Sequence, residues 1–120
     1  MSSIEAEVQR IDSILQFTCA GERSYNSYLQ LIELLISELD KDKEIKKVLV
    51  DLTRLTGDLS FFDRHRVGKY LAEKLPRDTR IAVVSSRNSL VRMIENTAIN
   101  RGVKLFATDD REEAKAWLGK

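Results

Sequence analysis

KVLVDLTRLTGDLSFFDRHRVGKYLAEKLPRDTRIAVV, residues 47–84, decides the fold. Its opening, Lys47-Val48-Leu49-Val50-Asp51-Leu52, is a short apolar run rich in branched residues, which predicts a buried strand. After a polar loop a helix is expected from about Phe61 to Leu75. Ser60-x-x-Asp63 gives it a capping-box-like start, and Pro76 supplies the stop. Arg80-Ile81-Ala82-Val83-Val84 is a second buried strand. A strand, a helix and a strand in succession predict parallel pairing through a right-handed crossover.

The pattern continues on both sides. Downstream, Leu90, Val91, Ile94 and Ala98 fall at helical spacing, and Gly102 suits a left-handed C-cap. Val103-Lys104-Leu105-Phe106-Ala107 is the last strand, and Thr108-Asp109-Asp110 caps a final helix carrying Ala114, Trp117 and Leu118. Upstream, Leu15, Phe17 and Cys19 alternate with Ile14, Gln16 and Thr18, the period of a strand that Ala20-Gly21 should break. Ile4, Ala6 and Val8 alternate with glutamates as an edge strand does, and Arg10-Ile11-Asp12-Ser13 holds a turn between the two. Ser24 caps a helix in which Tyr25, Tyr28, Leu29, Ile32, Leu35, Ile36 and Leu39 form one apolar face. The expected class is therefore α/β, one domain over residues 1–120 with a mostly parallel sheet of about five strands and four helices.

Composition excludes several functions. With 120 residues the chain holds one core, and 20 Lys/Arg against 19 Asp/Glu leave a formal net charge of +1. That balance argues against a dedicated nucleic-acid binder. One Cys forms no internal disulfide, the start has no basic segment leading into an apolar run, and no stretch is long and apolar enough for a membrane span. A cytoplasmic domain without a transmembrane segment is expected. Residues 1–60 carry a net −4 and residues 61–120 a net +5. That asymmetry is either a basic surface for an anionic partner or two halves whose charges interleave.

In a parallel sheet the working loops lie at the carboxyl ends of the strands. Here they supply Asp51, Thr53, Thr56, Asp58 and Ser60, then Ser85, Ser86 and Arg87. These hydroxyls and carboxylates are able to bind a ligand; equally, Asp51 fixes a loop, Gly57 makes a turn and Ser60 caps a helix. Arg87 beside a helix start is suited to an anion, yet both glycine-rich phosphate motifs are missing. No catalytic residues are assigned: Cys19 is the only thiol and His65 the only imidazole, with nothing local to pair them. One His, one Cys and no C-x-x-C give no zinc ligand set, so no metal and no cofactor is implied. Gly68, mid-helix, implies close packing against a neighbour, and Trp117 is expected to plug the core under the last helix. Arg64, His65, Arg66 and Lys69 form a cationic helix surface or simply a solvated one.

Val50-Asp51-Leu52-Thr53, Gly57-Asp58-Leu59-Ser60, Tyr70-Leu71-Ala72-Glu73, Arg80–Val84, Asn100-Arg101-Gly102-Val103 and Glu112–Leu118 together give the chain its resemblance to the SpoIIAA-like family. That family is grouped with STAS domains, the fold of anti-sigma-factor antagonists, and with SEC14-type lipid-binding domains. The resemblance implies helices wound along the sheet as a β–α superhelix and a non-enzymatic binding or regulatory role. Antagonists of this type are phosphorylated on a serine at the start of the helix after this strand, within an Asp-Ser-Ser-Gly type motif. Matched onto Asp63-Arg64-His65-Arg66, Asp63 takes the aspartate's place and no serine follows it. Ser60 and Thr56 are nearby hydroxyls to which nothing carries the role. Two functions follow from the resemblance: a module binding a small apolar or amphipathic, lipid-like ligand or a protein, and a partner-switching signalling regulator that lacks the usual serine. In the first, the 51–60 loop and the 85–88 turn form the mouth, with Leu55, Leu59, Phe61 and Phe62 as its apolar surface.

Strand alternation also predicts two faces for the sheet. Leu15, Phe17, Val48, Val50, Ile81, Val83 and Leu105 suit the face beneath the helices, leaving Ile14, Leu49, Val84 and Phe106 on the other. Either a helix covers that second patch or another subunit does, and the patch is the ground for expecting a homodimer with Phe106 near the contact.

Overall fold

The structure is a computed structural model and describes residues 3–86 and 88–120, with side chains left undescribed from 88 to 93. Nine elements follow in chain order: β1 (Ile4–Ile11), β2 (Ile14–Glu22), α1 (Tyr25–Lys41), β3 (Lys47–Thr56), α2 (Phe61–Lys74), β4 (Arg80–Val84), α3 (Asn88–Ile99), β5 (Lys104–Thr108) and α4 (Arg111–Leu118). The sheet runs β1-β2-β3-β4-β5 in space. Only β1 and β2 are antiparallel, joined at Asp12 and Ser13, both at positive φ as a two-residue hairpin turn of the primed type demands. The other neighbours pair in parallel.

Three successive crossovers of one hand, all stepping the same way along the sheet, must put their helices on the same face. So α1, α2 and α3 share a face with Leu15, Phe17, Val48, Val50, Ile81, Val83 and Leu105 beneath them, the set expected from alternation. Helix α4 follows the last strand and is free to take the other face. It lays Ala114 and Leu118 over Leu49, Ala82 and Val84, with Ile14 and Trp117 packed alongside. The second apolar patch is thus covered by a helix of the same chain, which removes the ground on which self-association was expected. Trp117 stacks on Phe106 at 5.4 Å, and the Arg80 guanidinium lies 4.4 Å over the indole.

Capping explains where the helices begin. Ser24 and Ser27 exchange side-chain hydrogen bonds with each other's backbone N–H, a full capping box for α1. Ser60 accepts from the Asp63 N–H at 3.1 Å, and Asp110 accepts from Glu112 and Glu113. Gly102, at φ +97°, sends its N–H back to Ile99 and ends the turn after α3. Gly68 marks a close helix contact: a Cβ there would lie 2.7 Å from Thr97 Cβ and 2.8 Å from the Ile94 carbonyl oxygen. The expected close packing is therefore of α2 on α3. Leu90 and Val91, expected to line α3, have side chains outside the described residues.

Two strands run longer than the sequence suggests. Ala20-Gly21 does not break β2, which continues to Glu22, and β3 reaches Thr56 instead of ending near Leu52. Thr18 pairs with Asp51 but Ala20 with Arg54, so β3 carries one extra residue between these pairs. This bulge shifts the alternation: Val48, Val50 and Leu52 face the core, and then Leu55 does, while Arg54 and Thr56 turn out. A strict period of two, read from the sequence, ends the strand where the bulge begins.

Candidate functional site

Beyond its pairing with β4, which ends at Asp51–Val84, β3 continues alone beside β2. Its tip therefore runs on past the end of β4, and residues 51–56 of the segment expected as a loop are strand. The expected site residues fall on three stretches of the chain, the first two side by side through the Asp51–Val84 pair.

Asp51 and Thr53 lie on the α4 side of the sheet. Asp51 Oδ1 accepts from the Thr53 N–H (2.9 Å) and hydroxyl (2.6 Å), satisfying a backbone donor at the bulge. Its other oxygen accepts from Arg111 Nη1 at 2.9 Å, while Arg111 Nη2 donates to Gln16 Oε1 at 2.7 Å. Arg111 thus pins the first turn of α4 to β2 and β3. Its role is not readable in sequence, because its partners lie 60 and 95 residues away. Asp51 also acts on Cys19. Burial, and secondarily the Asp51 charge, push that thiol from its usual 9.0 up to about 12. Cys19 is fully buried and protonated, the opposite of an activated nucleophile.

Ser85 is buried and its N–H donates to the Thr108 carbonyl at 3.0 Å; Ser86 is exposed. Arg87, expected as an anion partner, lies outside the described residues.

The third place is the β3–α2 junction. Thr56 donates its hydroxyl to the Gly21 carbonyl at 3.3 Å. Asp58 Oδ1 accepts from the Leu59 N–H and from Arg64 Nη2 at 3.0 Å. Ser60, not Asp63, stands at the start of α2; Asp63 lies within its first turn, so the helix start does carry a serine hydroxyl. Leu55 and Leu59 are buried in the core and supply no apolar surface to a mouth. Phe61 and Phe62 do: they are 74% and 67% exposed, on the first turn of α2. Arg66, paired with Asp63 at 3.1 Å, spans from Phe62 (5.4 Å) to the face of Tyr25 (3.6 Å). It joins Phe62 to a surface groove of about 230 Å³ lined by Tyr25, Arg66, Lys69, Tyr70 and Glu73. The cationic helix face is therefore largely neutralised and capped by rings. His65, also exposed, turns toward Thr97, with its Nδ1 3.4 Å from the hydroxyl.

Under the helices, α1, α2, α3 and the sheet line an apolar cavity of about 60 Å³. Pockets for drug-sized ligands run to roughly 300–1,000 Å³, so this one has no room for a lipid chain. Among the described residues no cluster of three His, Cys, Asp or Glu side chains is gathered as for a metal, and no helix is long and apolar enough to cross a membrane.

This sheet order, with three helices on one face and one on the other, is the STAS type of α/β fold. A solved structure of an anti-sigma factor antagonist from Mycobacterium paratuberculosis is similar to it at a TM-score of 0.69. The two are 18% identical over 98% of this chain and 96% of that one. An uncharacterized protein with a SpoIIAA-like fold from Shewanella loihica gives a TM-score of 0.63 and 22% identity, over 98% of this chain and 95% of that one. The family model described as SpoIIAA-like matches residues 14–119, and the chain belongs to that family. No curated protein matches it.

Proposed function

We propose that the chain is a non-enzymatic regulatory module of the STAS type, acting in the cytoplasm, that docks a protein partner on the start of α2. The observation that carries this reading is the exposure of Phe61 and Phe62 side by side. Each ring left in water forgoes about 2 kcal/mol of burial, and two adjacent on a rigid first turn form the apolar centre of a contact surface. Beside Phe62 stands Arg66, which leads on to a groove lined by Tyr25 and Tyr70, the residue types that anchor interfaces. The neighbour from Mycobacterium paratuberculosis is named for antagonising another protein, and the same kind of work is what we assign to this surface. A partner-switching regulator is the narrower form of this reading. A lipid-like ligand is the weaker alternative, because the interior cavity is small. Self-association has no part in the proposal, since α4 covers the second face.

The test is affinity capture from source-cell lysate, with the wild-type chain and the Phe61→Ser/Phe62→Ser variant as baits. Both residues are exposed, so the variant keeps the wild-type circular dichroism and melting temperature. A protein identified on the wild-type bait, absent from the variant and displaced by free wild-type chain is the expected result. No retained protein, or the same one on both baits, overturns the reading.

A further inference from the structure

The excess of cations in residues 61–120 has a place in the fold: one end of the molecule is basic. Because β3, β4 and β5 pair in parallel and in register, their first residues, Lys47, Arg80 and Lys104, stand directly opposite one another. Neighbouring strands lie about 4.8 Å apart, and like charges opposed across them repel. The ends of α2 and α3 come back to the same end of the sheet. There Lys74, Arg77 and Arg101 line one open groove, with Glu73 beside them.

Few of these charges are compensated. Arg80 is engaged by the Trp117 face at 4.4 Å and the Lys120 carbonyl oxygen at 2.7 Å. Arg77 Nη1 donates to the Arg101 carbonyl oxygen at 2.5 Å, a neutral acceptor that leaves both charges in place. Among the described residues no carboxylate forms an ion pair with Lys47, Lys74, Arg77, Arg101 or Lys104. Asp78 belongs to Lys46, at 2.7 Å, and feels Lys104 only through its field. Asp12, Glu44 and Glu73 are the other carboxylates at this end. Lys74 and Arg101 also answer the dipoles of the helices they end. Lys47 and Lys104 open strands, where no dipole calls for a cation.

What stands among the cations selects the anionic partner. A single nucleic-acid strand is held by stacking its bases on aromatic faces. The indole at this end, Trp117, is already taken by Arg80 and Phe106. The exposed groups are aliphatic instead. Apart from Phe61 and Phe62, the exposed large apolar side chains among the described residues are Ile11 and Ile99, at 43% and 41%, and both lie at this end. Ile11 pairs with Ile14, which pairs with Lys47, and Ile99 closes α3 two residues before Arg101. Cations interspersed with aliphatic side chains suit an anionic bilayer surface. We propose that this end rests reversibly on such a bilayer, with Lys47, Arg77, Arg101 and Lys104 against its headgroups and Ile99 among them. Helix α2, 14 residues and about 21 Å long, separates this end from the Phe61–Phe62 surface, so failure of the docking reading leaves the proposal standing.

The purified chain is sedimented with vesicles of phosphatidylcholine alone and of phosphatidylserine and phosphatidylcholine in equal parts. Binding to the mixed vesicles, little to the neutral ones, and release at high salt are expected. Lys104→Gln should weaken the partition about fivefold and Arg101→Gln/Lys104→Gln about twentyfold. Ile99→Ser should weaken it about threefold, which a purely electrostatic partner would not register. Arg54→Gln, at the opposite end, should leave it unchanged. All four positions are exposed, and circular dichroism checks that each variant is folded. The proposal is overturned by equal binding to both vesicle types, by binding to neither, or by unchanged partition in folded Lys104→Gln or Ile99→Ser. An Arg54→Gln loss as large as that of Lys104→Gln overturns it as well. So does tighter binding of polyuridylate than of the mixed vesicles, which would make this end an RNA surface.

Discussion

Cys19 shows how a single side chain is silenced by its surroundings. Fully buried, and near the negative Asp51, its thiol keeps its proton to about pH 12. Iodoacetamide at pH 8 should therefore leave the native chain unmodified and alkylate it only after unfolding, which mass spectrometry reads directly; rapid labelling of the native chain would contradict the burial. The linkage sign follows. Above 9.0 the unfolded chain loses the Cys19 proton while the folded chain keeps it, so stability falls as pH rises from about 9 toward 12. Burial raises the Tyr28 phenol above its usual 10.0 in the same direction. At this scale the sequence was legible wherever a role is local. Ser24, Ser60 and Asp110 could be recognised as caps because a cap bonds within three residues of itself. Arg111 could not, because what it touches is set by the assembled sheet.

Between elements, the packing of α2 on α3 turns on Gly68. On an exposed helix Gly→Ala gains about 1 kcal/mol, but here the new methyl meets Thr97 and the Ile94 carbonyl inside van der Waals distance. Gly68→Ala should lose about 1–2 kcal/mol in urea titration, with an unchanged m-value; a gain would mean that the two helices part freely. Element order, helix starts and the two faces of the sheet are all legible in this sequence, because 3.6- and 2-residue periods are strong over segments this long. The length of β3 is not. An extra residue leaves no compositional mark, and Thr53-Arg54 reads as a loop when it is the turned-out part of a strand.

For the whole molecule, the fourth helix decides whether the sheet is closed. Arg111 clamps its start to Asp51 and Gln16, while Leu118 and Trp117 seat its end on β4 and β5. The intact chain should sediment as a 13.8 kDa species across a hundredfold range of concentration. Leu118→Asp, which places a charge in a fully buried position, should free α4, uncover Leu49, Ala82 and Val84 and shift the mass upward with concentration. An L118D chain that stays monomeric would mean α4 is dispensable as a cover. The bulge in β3 has a wider consequence of another kind. It acts on side chains as a one-letter insertion acts on a message: everything before it is read in one frame, everything after it in the other. The tip of β3 can therefore turn Arg54 outward and Leu55 inward while the strand below keeps its phase with β4. The surface at the start of α2 is free to drift in sequence without asking the core beneath it to change.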